Sequence, residues 1–317
     1  MNKCKLVRDS CSKVLQNAKH AKINQEKLKE FGNNLLNEFK NGYKYIEFDE
    51  YSCHYNEFNS PESIVDYIFV LDTLNFCFWP CEVEFEYDDL AAGVKSIIIQ
   101  NPELLKPKNI INIERDFVKQ KIFKGIEFPL LDERVRLLKE IGVRTLEYFD
   151  GEFVNVVKRA NHSAVKMLDL LSSFYNNFQD VAIYRGEQIC FYKRSQIMIG
   201  DLYGAFKGKN YGRFDDIEEV TTFPDYRVPQ ILNHYDVIQY SEELTKIIEC
   251  KTEIPHGGEY EVEIRAATVH SVEELKKYLK EQGKSLHSIE VDWILWQKGE
   301  QARKDIKNHH RVLSIFY

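Results

Sequence analysis

The sequence predicts a mainly helical protein with a small β element, and three observations carry that expectation. Apolar residues recur at spacings of three and four in the longest patterned segments, which is the signature of one buried face on an α-helix. Alternating aromatic and β-branched residues are confined to three short stretches. No fixed-period repeat and no Pro/Gly/Ser-rich linker divides the 317 residues, which include only 15 Gly and 8 Pro, so one compact unit over 1–317 is expected, with room for two lobes.

Taken in chain order, a helix is expected over 10–21 and another over "NQEKLKEFGNNLLNEFK", where Leu28, Phe31, Leu35 and Phe39 form one stripe. Short strands are expected at "YKYIEF" and "EVEFEY". A helix over 60–75 opens with Ser60 as N-cap and Pro61 at the first helical position, where its missing N–H costs nothing. "DERVRLLKEIGVRTLEYF" places Val135, Leu138, Ile141, Leu146 and Phe149 on one side of a helix. Further helices are expected over 162–178, 189–206, 229–239, 259–281 and 287–299. "DVAIYRGEQICFY" reads as a hairpin turning at "RGEQ".

Composition narrows the function classes. Hydrophobic residues make up 44% and charged residues 29%, an ordinary globular balance, and the formal net charge is -7. That charge argues against a long electropositive face tracking polymeric nucleic acid, although a small basic pocket fits within it. "MNKCKLVRDSCSKVL" has no uninterrupted apolar core of a secretion signal, and no apolar run is long enough for a bilayer, so a cytoplasmic protein with no membrane partner is expected. The seven cysteines are an odd set in such a chain and read as reduced thiols. Cys77 and Cys81 have no second cysteine pair or nearby histidine to complete a zinc site.

Three stretches carry candidate chemistry. In "SPESIVDYIFVLDTLNFCFWP", Asp72 and Asn75 fall on or beside the apolar face, and buried polar side chains need partners. Those partners are either backbone groups or a planar ligand, with Phe76, Phe78 and Trp79 as core in the first case and as stacking surfaces in the second. In "FYKRSQIMIGDLYGAFKGKNYG", Lys193, Ile197 and Asp201 share one side of a helix, and Gly200, Gly204 and Gly208 point to close packing. No GxGxxG or Walker A motif occurs. In "TTFPDYRVPQIL", Val228 is biased to extended backbone and Pro229 suits a helix start, which puts Asp225 near a helix N-terminus. Asp225 is then either turn chemistry or a carboxylate held where positive charge develops.

Together these stretches resemble the queuosine salvage proteins, which are queuosine 5′-phosphate N-glycosylases. The matching pieces are "VLDTLNFCFWP", "FYKRSQI", "GDLYGAFKGK", "FPDYRVPQIL", "EVEIRAATVHSVEEL", "DWILWQKGE" and "HHRVLSIFY", in family order over most of the chain. The resemblance implies a mostly helical fold similar to the helix-hairpin-helix DNA glycosylases, acting on a free nucleotide without metal or redox cofactor. It implies Lys193 and Asp225 as the catalytic pair, and a queuine pocket drawing on Asp72, Asn75, Phe76, Phe78, Trp79, Tyr226 and Gln230. His54, in a loop longer than the family pattern, corresponds to a base-contacting histidine.

The implied chemistry is consistent with those residue types. Breaking the C1′–N bond builds positive charge on the ribose, which a carboxylate stabilises or attacks. Queuine is a 7-deazaguanine with no N7 to protonate, so contacts at the base edge matter to the leaving group. Lys193 orients Asp225, binds the 5′-phosphate or moves a proton, and Asp201 either supports Lys193 or meets substrate. Arg194, Arg227 and the terminal "HHR" are candidate phosphate donors. Three other readings stay open: a glycosylase for a base flipped from a polynucleotide, a module that binds a modified nucleotide without turning it over, and a scaffold with no ligand in which the aromatic cluster 76–79 is all core.

Overall fold

The computed structural model describes residues 2–56 and 60–317. In chain order its main elements are α1 (Lys3–Asn17), β1 (Ala21–Ile23), α2 (Gln25–Lys40), α3 (Pro61–Leu74), α4 (Tyr87–Gln100), α5 (Pro107–Ile110), α6 (Arg115–Phe117), α7 (Leu131–Tyr148), α8 (Phe153–Ala160), α9 (Ala164–Phe174), β2 (Val181–Tyr184), β3 (Glu187–Cys190), α10 (Lys193–Ala205), α11 (Arg227–His234), β4 (Ile238–Tyr240), α12 (Glu242–Glu249), α13 (Glu259–Glu281) and α14 (Ser288–Ala302). The mainly helical expectation holds. Among the described residues no helix is long and apolar enough to cross a membrane.

The chain divides into two compact units, and the division falls inside α10, after Lys193. The first comprises Met1–Tyr45, Asp180–Lys193 and Glu218–Leu313. Its core joins Leu28, Phe31 and Leu35 of α2 to Val228, Ile231 and Leu232 of α11, Leu275 and Leu279 of α13, and Ile294 and Leu295 of α14. Asn24 starts α2 by accepting from the Glu26 and Lys27 N–H groups, two of the donors a helix start leaves without partners. The strands β1 and β4 pair antiparallel with Ala21 opposite Tyr240. The β2–β3 hairpin turns through Arg185 and Gly186 at φ 50° and 83°, the left-handed pair a two-residue hairpin requires.

Inside this unit α13 is buried along most of its length, charges included. Glu263 is 0% exposed and accepts from the backbone N–H groups of Lys19, His20 and Ala21 and from the Tyr184 hydroxyl. One carboxylate thereby fixes the turn between α1 and β1 and the end of β2.

The second unit comprises Ile46–Gln179, Arg194–Ile217 and Ser314–Tyr317. There α3 packs against α4, α7 and α8. Its C-terminal end is held by two buried guanidinium groups. Arg134 donates to the carbonyls of Leu74, Phe76 and Cys77, and Arg194 to those of Thr73 and Asn177. Cations at a helix C-terminus meet both the last free carbonyls and the negative end of the helix dipole.

Several expectations need correction. The first helix is Lys3–Asn17 rather than 10–21, because the chain turns at Ala18 to start β1. Residues 43–48 and 82–87 form no strand. Phe85 instead satisfies its apolar ring by packing on Phe128 at 4.7 Å, and Tyr87 opens α4. Residues 189 and 190 belong to the hairpin, so α10 starts at Lys193. Helix α11 begins at Arg227 and ends at His234, with β4 following where helix was expected to 239. Leu146 lies five residues past Ile141, misses the α7 stripe and is 41% exposed. Gly208 stands past the end of α10 at φ +67°, so turn geometry rather than helix packing accounts for it. The helices α4, α8 and α12 were not foreseen.

Glu263→Ala is expected to lower unfolding free energy by at least about 2 kcal/mol, since it strands several donors at once. Chemical denaturation of the two proteins measures this.

Candidate active site

In the first unit the segment 221–226 is fastened from two sides. Asp292, on α14, accepts from the Thr222 hydroxyl at 2.8 Å and the Phe223 N–H at 2.9 Å. The next carbonyl, of Pro224, accepts from Arg265 Nε at 3.0 Å. Asp225 follows, and its Oδ1 accepts the Arg227 and Val228 N–H groups at 2.8 and 2.9 Å. These bonds start α11 two residues before Pro229, which then sits in the first turn, where a missing N–H is still harmless. They also hold Val228 helical despite its position before a proline. Asp225 is thus a helix-capping carboxylate, and a half-buried one.

Lys193 is buried at the start of α10, with its N–H bonded to Asp180 at 3.0 Å. Burial raises the Asp225 carboxyl above its ordinary range, and the Lys193 ammonium is the strongest effect opposing that rise. Asp292 is pushed up to about 8, first by burial and then by the charge on Asp225, with Lys193 and the bonds from Phe223 and Thr222 pulling the other way. Asp225 therefore ionises first and Asp292 keeps its proton near neutral pH. The structure brings Lys193, Asp225 and Asp292 into one electrostatic group.

The other residues of the "DYRVPQ" stretch are held nearby. Tyr226 packs against His309, ring centroids 4.5 Å apart. His309 Nδ1 lies 2.6 Å from the His310 carbonyl and so carries the hydrogen, and burial lowers this imidazole to about 4, keeping it neutral. Arg227 donates to Glu300 and to the Gln230 side-chain oxygen, and Gln230 donates to the Lys307 carbonyl. A Cβ on Gly299 would meet Arg227 Cδ at 2.8 Å, so a glycine is what lets this arginine lie along α14.

The second unit carries a polar cluster of its own. His54 stacks on Phe48 and commits both ring nitrogens, Nδ1 to the Phe48 carbonyl at 2.7 Å and Nε2 to the Tyr87 hydroxyl at 2.9 Å. Burial lowers His54 to about 4, so it is neutral, Nδ1 donates and Tyr87 donates to Nε2. Asp72 and Asp201, both buried, add their charge to burial in pushing the Tyr67 and Tyr87 phenols up. Two carboxylates, two phenols and an imidazole are thereby gathered.

The aromatic run after α3 divides in two. Phe76 is buried between cations, with Arg134 at 4.1 Å and Arg194 at 5.1 Å from its ring centroid, so it is core. Phe78 meets Phe128 edge to face, and Trp79 packs on the Phe76 cluster while remaining half-buried. Asn75 caps the C-terminus of α3. Arg194 lies under Phe76 and Phe178 with its terminal nitrogens on carbonyls, which gives it the end of α3 to hold rather than a phosphate.

Sequence reasoning missed Asp292, Asp180 and Arg265. Asp292 follows Ile289 by three and precedes Leu295 by three in a buried stripe, the same anomaly that marks Asp72.

A family model described as queuosine salvage protein matches residues 53–317. The queuosine 5′-phosphate N-glycosylase/hydrolase of Dictyostelium discoideum is 43% identical over 325 residues, covering 100% of this chain and 100% of that protein. The protein so named from Sphaerobacter thermophilus is 43% identical over 266 residues, 81% of this chain and 82% of its own. That of Mus musculus is 32% identical over 286 residues, 83% and 84% respectively.

A carboxyl whose folded pKa lies above its unfolded value binds a proton that the unfolded chain releases. Its contribution to stability is complete below the unfolded value and is lost as pH rises toward 8. Asp292→Asn, which keeps an acceptor for Thr222 and Phe223, should therefore gain stability relative to the parent between about pH 5 and pH 8. Denaturant titrations across that window measure the divergence.

Proposed function

This chain belongs to the queuosine salvage protein family, and from that premise we infer that it hydrolyses the N-glycosidic bond of queuosine 5′-monophosphate, releasing queuine. The observation that carries the assignment of the reacting group is the way Asp225 is held. Two backbone N–H groups fix Oδ1 and Lys193 supplies the principal opposing charge, and in this reading Oδ2 is the atom that faces the sugar. As the C1′–N bond breaks, its electron pair leaves with the base and positive charge grows on the ribose. Asp225 stabilises that charge through space or closes onto C1′. Water then supplies the hydroxyl at C1′, and the departing base takes up a proton.

Lys193 is read as the counter-ion that keeps Asp225 ionised in a buried setting beside Asp292. In the second unit, Asp72, Asp201 and the half-buried Trp79 suit the N–H edge, the amine and the ring of a base such as queuine, and in the first unit Tyr226 and Gln230 follow Asp225 in the same segment. His54 acts in this reading through Tyr87, since both its ring nitrogens are engaged. A free nucleotide rather than a polymer as substrate accords with a formal charge of -7. The lysine–aspartate pairing supports a kinship with the helix-hairpin-helix glycosylases.

Asp225→Asn retains a good helix cap and should keep the melting temperature while kcat falls at least about 100-fold. Unchanged turnover in that variant would remove Asp225 from the reaction. Lys193→Gln removes the charge that holds Asp225 down, so the acidic limb of kcat/KM against pH should move to higher pH. A limb that stays in place would show that Lys193 serves another purpose.

A further inference from the structure

We propose that the buried Asp180–Arg265 pair is the positioning device that sets Lys193 and Asp225 relative to each other. The proposal rests on the reading of those two residues as the reacting pair. Asp180 stands just before β2 and Arg265 on α13, and each is 1% exposed. The Asp180 carboxylate receives both terminal nitrogens of Arg265, at 2.9 Å on Oδ1 and 2.5 Å on Oδ2. The same Oδ2 receives the backbone N–H of Lys193 at 3.0 Å. Arg265 uses its third nitrogen, Nε, on the carbonyl of Pro224, the residue bonded to Asp225.

A continuous path therefore runs from the Lys193 amide through a carboxylate and a planar guanidinium to the peptide carrying Asp225. Rotation is limited at each step. The two-pronged contact fixes the guanidinium plane, and the Phe191 ring lies 4.0 Å from the Arg265 carbon. The Asp180 carbonyl accepts the N–H groups of Phe191 and Tyr192, which tethers the residues leading into Lys193. Glu261, one turn before Arg265, approaches it at 3.5 Å and itself receives the Gly257 N–H.

Stability alone is a poor reason for such a pair. Removing two ions from water costs about what their attraction returns, and neutral or apolar replacements of buried pairs are often neutral or stabilising. What a neutral replacement cannot reproduce is a rigid fork that serves two backbone segments at once. Neither side chain meets substrate in the proposed reaction, so loss of the fork should appear in kcat and not in KM.

The test uses the full chain with queuosine 5′-monophosphate and two variants. The double variant Asp180→Asn with Arg265→Gln removes both charges at nearly constant volume, and Arg265→Lys keeps the charge but lacks the planar fork. Each should lower kcat about 10- to 100-fold with KM within about twofold of the parent, and the double variant should melt close to the parent. Parental kcat in either folded variant, or a loss confined to KM, would overturn the proposal. So would a double variant that melts far below the parent, because the pair would then serve the fold. Asp225→Asn separates the two levels: if it keeps turnover, the reading beneath fails, whereas an inactive Asp225→Asn beside a fully active Arg265→Lys removes the positioning role alone.

Discussion

Charged residues on a buried helix must find partners, and α13 imposes that requirement on the whole first unit. Glu263 and Arg265 are 0% and 1% exposed. Each would be strongly destabilising if left alone. Glu263 is satisfied by the turn that joins α1 to β1 and by the end of β2. Arg265 is satisfied by the residue before β2 and by the loop before α11. Three chain stretches distant in sequence are thus placed by two side chains less than one helical turn apart, and the apolar contacts of α2, α11 and α14 complete the core of the unit.

The same requirement explains how two carboxylates coexist in different electrostatic environments. Asp225 has a cation, two backbone donors and partial access to solvent, whereas Asp292 is enclosed and shares its neighbourhood with an existing negative charge. Environments that split the ionisation of paired acids are how one site holds a charged group beside a neutral one. Asp292 with its proton also adds no second charge to repel Asp225 from the α11 amides. Asp225 is a helix cap, and in the proposed reaction the same carboxylate faces the sugar, so the readings that the sequence left as alternatives are compatible.

Much of this was legible in the residues. The long helices announced themselves through their apolar spacing, and the hairpin through Arg185–Gly186. Polar residues in apolar or proline-bound settings drew attention to Asp72 and "DYRVPQ", while the roles of Lys193 and Asp225 came from the resemblance to the queuosine salvage proteins. Strands β1 and β4 have three residues each and depend on a partner more than 200 positions away, too short for any periodicity to register. Residues 82–87 alternate like a strand, yet the alternation serves an aromatic cluster with Phe123 and Phe128. Phe76 and Arg194 looked like ligand contacts because an aromatic ring and a guanidinium suit a nucleotide, and they suit each other equally well in a core. Asp180 and Arg265 stayed hidden because a charged residue at the head of a hairpin, or amid the glutamates of α13, reads as surface until its partner is known.

The most direct measurement of the central claim is a mass-spectrometric assay of the purified protein with queuosine 5′-monophosphate, its unphosphorylated nucleoside and guanosine 5′-monophosphate in parallel. Release of free queuine from the monophosphate, with the guanine nucleotide left intact, is the predicted result. Absence of free base from all three, while queuosine 5′-monophosphate still raises the melting temperature, would contradict it and leave a nucleotide-binding protein in place of an enzyme.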